Sequence, residues 1–345
     1  MFVKEEKNQL FVIALSISLF VIILLLAVLI EPVEKKSPDN IAILLSGESR
    51  RERLTGLKHG LEELGFREHV NVEYDVRSAD ENKQRLAFLA EKIVQSEPKL
   101  IVVLGGLEAE AVLHAQQKLP GGKGPAPVVF AGVASAAARG LYTNSHPLDH
   151  LTGVENLDAE LSGKRLEYFK LLLPHIKRVG VIYEPGIIPS EQGLYIAQQA
   201  APFMGLEILK YPVRSADDLL ALETTLQPGA CDGLLLMPSF IIESGLDIFY
   251  QLSLNHKLPV FGLRVKGASD YYFASFGPDV YHQGRQASRL VAKILKQGFS
   301  EAIPVETPDR VEFVINVQIS QQLGIGLTPE QLQYADRLIE GGAGP

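Results

Sequence analysis

Residues 41–65 read IAILLSGESRRERLTGLKHGLEELG, and their pattern predicts the first strand and helix of an α/β fold. Its first seven residues form a short apolar run, which is typical of a buried strand. The leucines that follow recur at helical spacing, at positions 54, 57, 61 and 64. Gly65 then ends the predicted helix. A buried strand followed directly by an amphipathic helix is the repeating unit of a parallel α/β sheet.

The same unit recurs along the chain in two arrays. The first array has further strands predicted at VNVEYDV (70–76), LIVVLGG (100–106) and PVVFAGV (127–133), with helices at 82–96 and 107–118. The second has strands predicted at RVGVIYEP (178–185), LEILKYPV (206–213), GLLLMPS (233–239), PVFGL (259–263) and YYFASFG (271–277), with helices at 159–173, 190–204, 215–226 and 243–255. We interpret the arrays as two α/β lobes, each with a doubly wound parallel sheet.

A helix predicted at 280–297 and the strand VEFVINV (311–317) can return the chain across the lobes. The predicted boundaries are therefore discontinuous. Lobe 1 is expected to comprise 39–152 with 279–304, lobe 2 to comprise 153–278 with 305–335, and 336–345 to form a flexible tail. Ligands of such sheets bind beyond the carboxyl ends of the strands.

The N-terminal segment is apolar enough to enter a membrane. Residues 10–30 carry no charge and are long enough to cross a hydrocarbon core of about 30 Å. No small-residue cleavage site and no cysteine for lipidation follows, which favours an uncleaved anchor over an export signal. Lysines flank the segment on both sides, so they do not predict its orientation. Residues 1–38 are therefore expected to form a cytoplasmic tip, an anchor or signal, and a linker.

Composition and motifs exclude several classes of function. The net charge of −8 offers no basic stripe for nucleic acid. Phosphate-loop and nucleophile-elbow motifs are absent from the sequence, and we expect no cofactor, no metal and no catalytic residue. His146 and His150 have ligand-like spacing, but Pro147 opposes a shared helical face, which favours a solvated loop. Cys231, the single cysteine, lies in an apolar run typical of a buried, inert thiol.

Several longer stretches resemble one known family. They are LKHGLEELGF (57–66), GVENLDAELSGKRLEYFKLLLPHIKRVGVIYEP (153–185), PVFGLRVKGASDYYFASFGPDVYHQGRQASRLVAKILKQG (259–298) and VEFVINVQISQQLGIGLTPEQL (311–332). In order and spacing they resemble the ABC-transporter substrate-binding family related to tryptophan and tyrosine receptors. The resemblance runs from about Asn40 to Leu332. It implies a type I periplasmic-binding fold, a ligand cleft between two lobes, an extracytoplasmic location, and an ABC permease and ATPase as partners.

The resemblance also implies which loops line the ligand cleft. They are 46–49, 105–108 and 132–135 in the first lobe, and 183–185, 239–240, 264 and 276–278 in the second. The expected ligand-binding residues are Ser46, Gly47, Glu48, Gly105, Gly106, Leu107, Val133, Ser135, Tyr183, Glu184, Ser239, Phe240, Arg264 and Phe276. Gly105 and Gly106 before a helix either bind an anion through free N–H groups or only make a tight turn. Arg264 either clamps an acidic group or holds the lobe's own loops.

The sequence departs from the family at positions that matter for the ligand. The family's acid in the loop after the fourth strand is absent from Val133-Ala134-Ser135-Ala136, and Ser239 replaces an expected Asp. These losses argue against an α-amino-acid ligand. Glu184 either supplies a new negative charge or lies exposed on the rim. Tyr183, Phe240, Tyr271 and Tyr272 either stack on a ring of the ligand or belong to the core.

The leading hypothesis is a receptor that closes on a small organic solute and presents it to an ABC transporter. An alternative of the same fold is a sensory receptor that signals through a membrane partner. An enzyme and an interaction protein with a decayed cleft are the alternatives from other classes. A cleft packed shut by its own side chains would favour the interaction protein.

Overall fold

The protein is described from a computed structural model. The structure describes residues 15–21, 37–119, 125–143, 146–147, 150–227, 229–263, 271–299 and 303–341. Outside these ranges lie Arg264, residues 300–302 and most of the predicted anchor. The chain divides into two compact units, Met1–Pro38 and Asp39–Pro345.

In the first unit, residues 15–21 are helical, and we call this helix α1. The structure shows no helix among its described residues that combines the length and apolar character needed to cross a bilayer. Because most of the predicted anchor at 10–30 lies outside those residues, the anchor stays a prediction.

The second unit begins with a five-stranded sheet whose strands all run parallel. Its order is β2-β1-β3-β4-β7, and β5 and β6 form a separate two-stranded ribbon. The strands are β1 Asp39–Leu45, β2 Val72–Ser78, β3 Leu100–Val103, β4 Val128–Val133, β5 Tyr142–Thr143, β6 His146–Pro147 and β7 Leu151–Glu155. The helices between them are α2 Arg51–Glu63, α3 Lys83–Gln95 and α4 Gly106–Gln117.

A second sheet of seven strands follows, in the order β14-β13-β12-β11-β10-β8-β9. Neighbouring strands are parallel except β12 and β13. The strands are β8 Arg178–Tyr183, β9 Glu207–Pro212, β10 Gly233–Leu236, β11 Val260–Gly262, β12 Ala274–Pro278, β13 Val311–Asn316 and β14 Arg337–Ile339. The helices are α5 Ser162–Leu172, α6 Ile188–Ala200, α7 Ala216–Thr225, α8 Phe240–Ser244, α9 Leu246–His256, α10 Val280–Gln297, α11 Val317–Gln322 and α12 Pro329–Leu332.

Each sheet is covered on both faces, as alternating side chains of its central strands require. In β1, Ile41 and Ile43 join a core with residues of α2 and α10, whereas Ala42 and Leu44 join a core with residues of α3 and α4. The second sheet divides in the same way between α5 and α6 on one face and α7 and α9 on the other. We call the two sheets, with the helices that cover them, lobe 1 and lobe 2.

The chain crosses between the lobes three times. It leaves lobe 1 after β7, returns after β12 as α10, and passes back to lobe 2 before β13. Leu290 and Val291 of α10 are buried in the lobe 1 core. Next to the first crossing, Glu306 pairs with Val154 of β7. The crossings therefore lie side by side, where a hinge between the lobes would have to bend.

Two boundaries differ from the sequence prediction. The first sheet extends to Glu155, beyond the expected limit of lobe 1 at 152, because β7 pairs with β4 along its whole length. The prediction of a flexible tail from 336 was wrong for residues 337–339. These residues form β14 and pair with Val314, Ile315 and Asn316 of β13.

Candidate functional site

A cavity of about 210 Å³ lies between the lobes, where strands of both sheets end. Lobe 1 lines it with the segments that follow β1, β2, β3 and β4, and lobe 2 with those that follow β8, β10 and β11. Two of the crossings also contribute. The polar side chains of the lining are Arg50, Arg53, Lys83, Glu110, Arg139, Asn156, Asp158, Glu184, Ser239, Glu243 and Gln283.

On the lobe 1 wall, arginine side chains lie directly against glycine backbone. A Cβ atom at Gly105 would come within 2.9 Å of Arg50 Nε, and one at Gly106 within 2.9 Å of Arg139 Cζ. A Cβ at Gly132 would overlap the Arg53 guanidinium, and the φ of 69° at Gly132 also favours glycine. The glycines of these loops therefore make room for the chain's own guanidinium groups.

The N-terminus of α4, which was one predicted anion site, faces an internal carboxylate. Glu108 in its first turn is fully buried, and its Oε1 accepts a 2.8 Å hydrogen bond from Ser46 N–H. Its other oxygen would lie 2.6 Å from a Cβ at Gly105. Arg50 Nε donates to Glu108 Oε1 across 3.3 Å. The positive charge that would receive an anion is thus partly balanced by the protein itself.

Arg50 also reaches the opposite lobe. Its Nη1 donates to Glu243 Oε2 of α8 across 2.9 Å, and both side chains are largely buried. Burial opposes the charge of Arg50, but Glu243 and Glu108 outweigh it and hold the pKa of Arg50 above its ordinary value. A second contact between the lobes places Lys83 Nζ 5.9 Å from the centre of the Phe240 ring. The lobes are therefore joined by a buried ion pair at the edge of the cavity.

The lobe 2 wall carries Glu184 directly after β8. Its relative exposure is 7%, so the rim-exposed alternative was wrong. The backbone N–H of Glu184 donates to Ser190 Oγ across 2.9 Å, which fixes the loop that presents its carboxylate. Ser239 on the same wall caps α8, with its Oγ accepting from Ile242 N–H at 3.2 Å.

Helix α5 of lobe 2 adds a fully buried arginine next to the first crossing. Arg165 donates to the Phe276 carbonyl oxygen at 2.7 Å and to Asp158 Oδ1 at 2.8 Å. Burial lowers the pKa of Arg165, and Asp158 acts in the opposite direction. Asn156 Oδ1 accepts from Asp158 N–H at 3.0 Å. These contacts hold Asp158 and the end of β12 in a fixed geometry beneath the cavity.

The structure brings some of the expected site residues together and separates others. Those that line the cavity are Gly106, Leu107, Glu184, Ser239 and Phe240. Those of the described residues that do not line it are Ser46, Gly47, Glu48, Gly105, Val133, Ser135, Tyr183 and Phe276. Phe276 packs in the lobe 2 core, with its ring centre 5.0 Å from that of Tyr168. Arg264 lies outside the described residues.

Most of the expected stacking aromatics belong to the core. Tyr272 is buried in a lobe 2 core cluster, and Tyr271 and Tyr183 pack against such clusters. Phe240 is the exception, because it lines the cavity. Cys231 is buried, as the sequence predicted, and burial raises the pKa of its thiol.

Sequence reasoning missed the charged residues that follow the strand ends by several positions. Arg50 and Arg53 lie in the first helical turns after β1, and Arg139 lies in the turn after β4. The run ESRRER (48–53) beside a strand end was a usable signal, because it places several charges where ligands of parallel sheets bind. Glu243 and Gln283 gave no local signal.

The comparisons with known proteins agree with this geometry. Residues 40–339 match the family model described as ABC transporter substrate binding protein. The chain is 23% identical over 305 residues to the tyrosine-binding protein of Clostridioides difficile strain R20291, covering 87% of this chain and 86% of that protein.

Two solved structures have a similar fold. A conserved domain protein from Vibrio cholerae O1 biovar El Tor has a TM-score of 0.78 at 22% identity, covering 88% of this chain and 100% of the other. An ABC domain from Streptococcus pneumoniae in complex with L-Trp has a TM-score of 0.74 at 20% identity, covering 87% and 99%. The fold is thus that of the type I periplasmic-binding proteins, as predicted.

Proposed function

Because the chain belongs to the ABC transporter substrate-binding protein family, we propose that it is an extracytoplasmic receptor that closes on a small organic solute and presents it to an ABC permease and ATPase. The observation that carries the proposal is the cavity of about 210 Å³ whose walls come from both lobes. A solute held there contacts both walls at once. It therefore favours the closed arrangement over the open one, which is how a ligand shifts such an equilibrium.

The moving parts follow from the topology. We propose that lobe 1, with α10, and lobe 2 turn relative to each other about the three crossings. Glu306 N–H and Gly153 O, joined at 2.9 Å, tie two of these crossings together. Hinges of this kind absorb the change in a few backbone angles while the packed lobes stay rigid.

The alternatives from the sequence differ in what they require of the cavity. An interaction protein with a decayed cleft predicts a gap filled by side chains, whereas this gap retains space for a ligand. An enzyme requires a nucleophile or an acid–base pair poised at the cavity. Three of the four cavity carboxylates, Glu110, Asp158 and Glu243, are instead engaged by arginines.

We further propose that residues 10–30 anchor the receptor in the membrane, with the lobes outside the cytoplasm. Fusing alkaline phosphatase after Pro345 tests the orientation, because the enzyme is active only outside the cytoplasm. High phosphatase activity in the membrane fraction is expected. Activity confined to the released fraction would show that the segment is a cleaved signal.

Binding is tested by thermal unfolding of the purified chain against a metabolite library. A ligand at about 100 times its Kd stabilises the folded state by about 2.7 kcal/mol, which corresponds to a rise of several degrees in Tm. At least one small organic solute should produce this shift. A folded sample that responds to no member of a broad library would contradict the receptor function.

For transport, deletion of the chain should abolish uptake of the solute that it binds. Intact uptake together with a lost transcriptional response would favour sensing.

A further inference from the structure

Three of the four carboxylates that line the cavity are paired with arginines. Glu110 pairs with Arg139, Asp158 with Arg165, and Glu243 with Arg50. Glu184 differs from these three: among the described residues, no hydrogen-bond donor or cation contacts its carboxylate. Its relative exposure is only 7%, and it lines the cavity. A buried carboxylate without a partner is unfavourable, because the protein replaces the water that would solvate it.

The surroundings of Glu184 hold it in place and do not neutralise it. Its loop is fixed by the hydrogen bonds of Glu184 N–H to Ser190 Oγ and of Gly186 N–H to Glu191 Oε1, both 2.9 Å long. The neighbouring lining residues, Ile187, Ile188 and Pro189, are apolar. An apolar environment strengthens the attraction between this anion and any cation that enters the cavity.

We propose that the solute carries a cationic nitrogen, an ammonium or a guanidinium, that binds the Glu184 carboxylate. This inference rests on the proposed function and names the chemical class of its ligand. The cavity volume of about 210 Å³ limits the solute to a small molecule. The guanidinium groups of Arg50, Arg53 and Arg139 line the opposite wall. The cationic end therefore faces lobe 2, and any oxygen-rich end faces lobe 1.

The test compares amines with hydroxyl analogues of the same shape, using the purified full-length chain. The pairs are ethanolamine with ethylene glycol, putrescine with 1,4-butanediol, and γ-aminobutyrate with γ-hydroxybutyrate, beside a broad metabolite library. Amine-bearing members should raise the melting temperature and bind in calorimetry, whereas their hydroxyl analogues should not. Glu184→Gln should weaken amine binding about 10-fold or more, because a charge-assisted hydrogen bond becomes a neutral one. Glu184→Asp should retain part of the affinity.

Glu207→Gln provides the matched control. It removes the same charge from an exposed position on strand β9 of lobe 2, and it should leave binding unchanged. Without ligand, Glu184→Gln should melt at the same temperature as the unchanged chain or higher. A lower melting temperature would mean that a cation of the chain itself already occupies Glu184, and would overturn the inference.

The outcomes separate the inference from the proposed function. If the library identifies ligands but none is cationic, the cationic class is wrong and the receptor function stands. If Glu184→Gln binds cationic ligands with unchanged affinity, Glu184 is not their partner, the inference is overturned, and the receptor function again stands. If neither the pairs nor the library shifts the melting temperature of the folded chain, both are wrong.

Discussion

Glu108 occupies the place where the sequence left two alternatives open, an anion from outside or only a tight turn. It is fully buried, accepts from Ser46 N–H, and lies beside Arg50. The strand-to-helix turn at Gly105 therefore encloses a carboxylate that belongs to the fold. A glycine-rich turn before a helix predicts a favourable place for negative charge, but it does not predict whether that charge is a ligand or a side chain.

Glu108→Ala should lower the free energy of unfolding by about 3 kcal/mol, because it removes one partner of a buried ion pair and leaves Ser46 N–H without its acceptor. Glu110→Ala is the control on the same helix. Its carboxylate is half exposed and pairs with Arg139, so its removal should cost less than about 1 kcal/mol. Urea unfolding of both variants measures the difference. Equal losses would show that Glu108 contributes no more than a surface residue.

Glu155, at the end of β7, gives the stability a defined dependence on pH. Burial raises its pKa, and the hydrogen bond from Ala136 N–H offsets this only in part. The folded chain therefore binds a proton more readily at this position than the unfolded chain does. Between the ordinary and the raised pKa of Glu155, the free energy of unfolding should fall as the pH rises.

Glu155→Gln should remove this contribution. The variant should be more stable than the unchanged chain at pH 7, and the difference should shrink as the pH falls through the raised pKa of Glu155 towards the ordinary glutamate pKa, below which it no longer changes. Urea unfolding at several pH values measures it, with the exposed Glu207→Gln as the control. A difference that does not vary with pH would contradict the assignment to Glu155.

At the scale of elements, the contact between α2 and α10 attaches the returning helix to lobe 1. The two helix backbones approach closely because each helix has a glycine where it faces the other. A Cβ at Gly284 would come within 2.8 Å of Leu57 N, and one at Gly60 within 3.2 Å of the Arg285 Cα atom. Backbone atoms cannot move aside as the end of a side chain can, so larger residues would force the helices apart.

Gly284→Ala should therefore destabilise the protein by about 2 kcal/mol, although alanine is the better helix former. Gly163→Ala in α5 is the matched control, and we expect it to stabilise the protein. Its added Cβ would lie 3.5 Å from the nearest side chain, an ordinary contact, so the change should stabilise by up to about 1 kcal/mol. Thermal unfolding of both variants tests the pair. A stabilising Gly284→Ala would show that the helices separate easily.

The sequence predicted the helices and strands whose hydrophobic periodicity lies entirely within their own residues. IAILLSG and the leucines after it predicted β1 and α2 because the periodicity is local. β14 was missed because Arg337–Ile339 is short and becomes a strand only by pairing with β13. The helix predicted at 243–255 is two helices, α8 and α9, which meet at Gly245. Helix α8 begins before the predicted position 243, because Ser239 caps its N-terminus.

At the scale of the whole molecule, the sequence predicted which strand ends surround the cavity better than which side chains line it. The strand ends that the family resemblance singled out do surround the cavity. Which charges meet there depends on contacts between distant parts of the chain, such as Arg50 with Glu243, which are separated by 193 positions. Such a pair follows no spacing rule, because it forms only when both lobes are folded and face each other.

The Arg50–Glu243 pair is the contact between the lobes that the proposed opening has to break. When the lobes separate, Arg50 keeps Glu108 as a partner within lobe 1. Opening of the proposed hinge therefore does not leave Arg50 as a buried charge without a partner. In the proposed receptor, the contact with Glu243 stabilises the closed arrangement relative to the open one.

Glu243→Gln should shift the chain without ligand towards the open arrangement, because a neutral amide replaces the carboxylate that faces Arg50. Small-angle scattering should then give a larger radius of gyration than for the unchanged chain, and the apparent Kd of the solute should rise several-fold as the binding-competent fraction falls. Asp247→Asn, an exposed change of the same charge on the neighbouring helix α9, should alter neither quantity. If Glu243→Gln leaves the radius of gyration and the apparent Kd unchanged, the ion pair does not govern closure, because a contact equally favourable in both arrangements shifts no equilibrium.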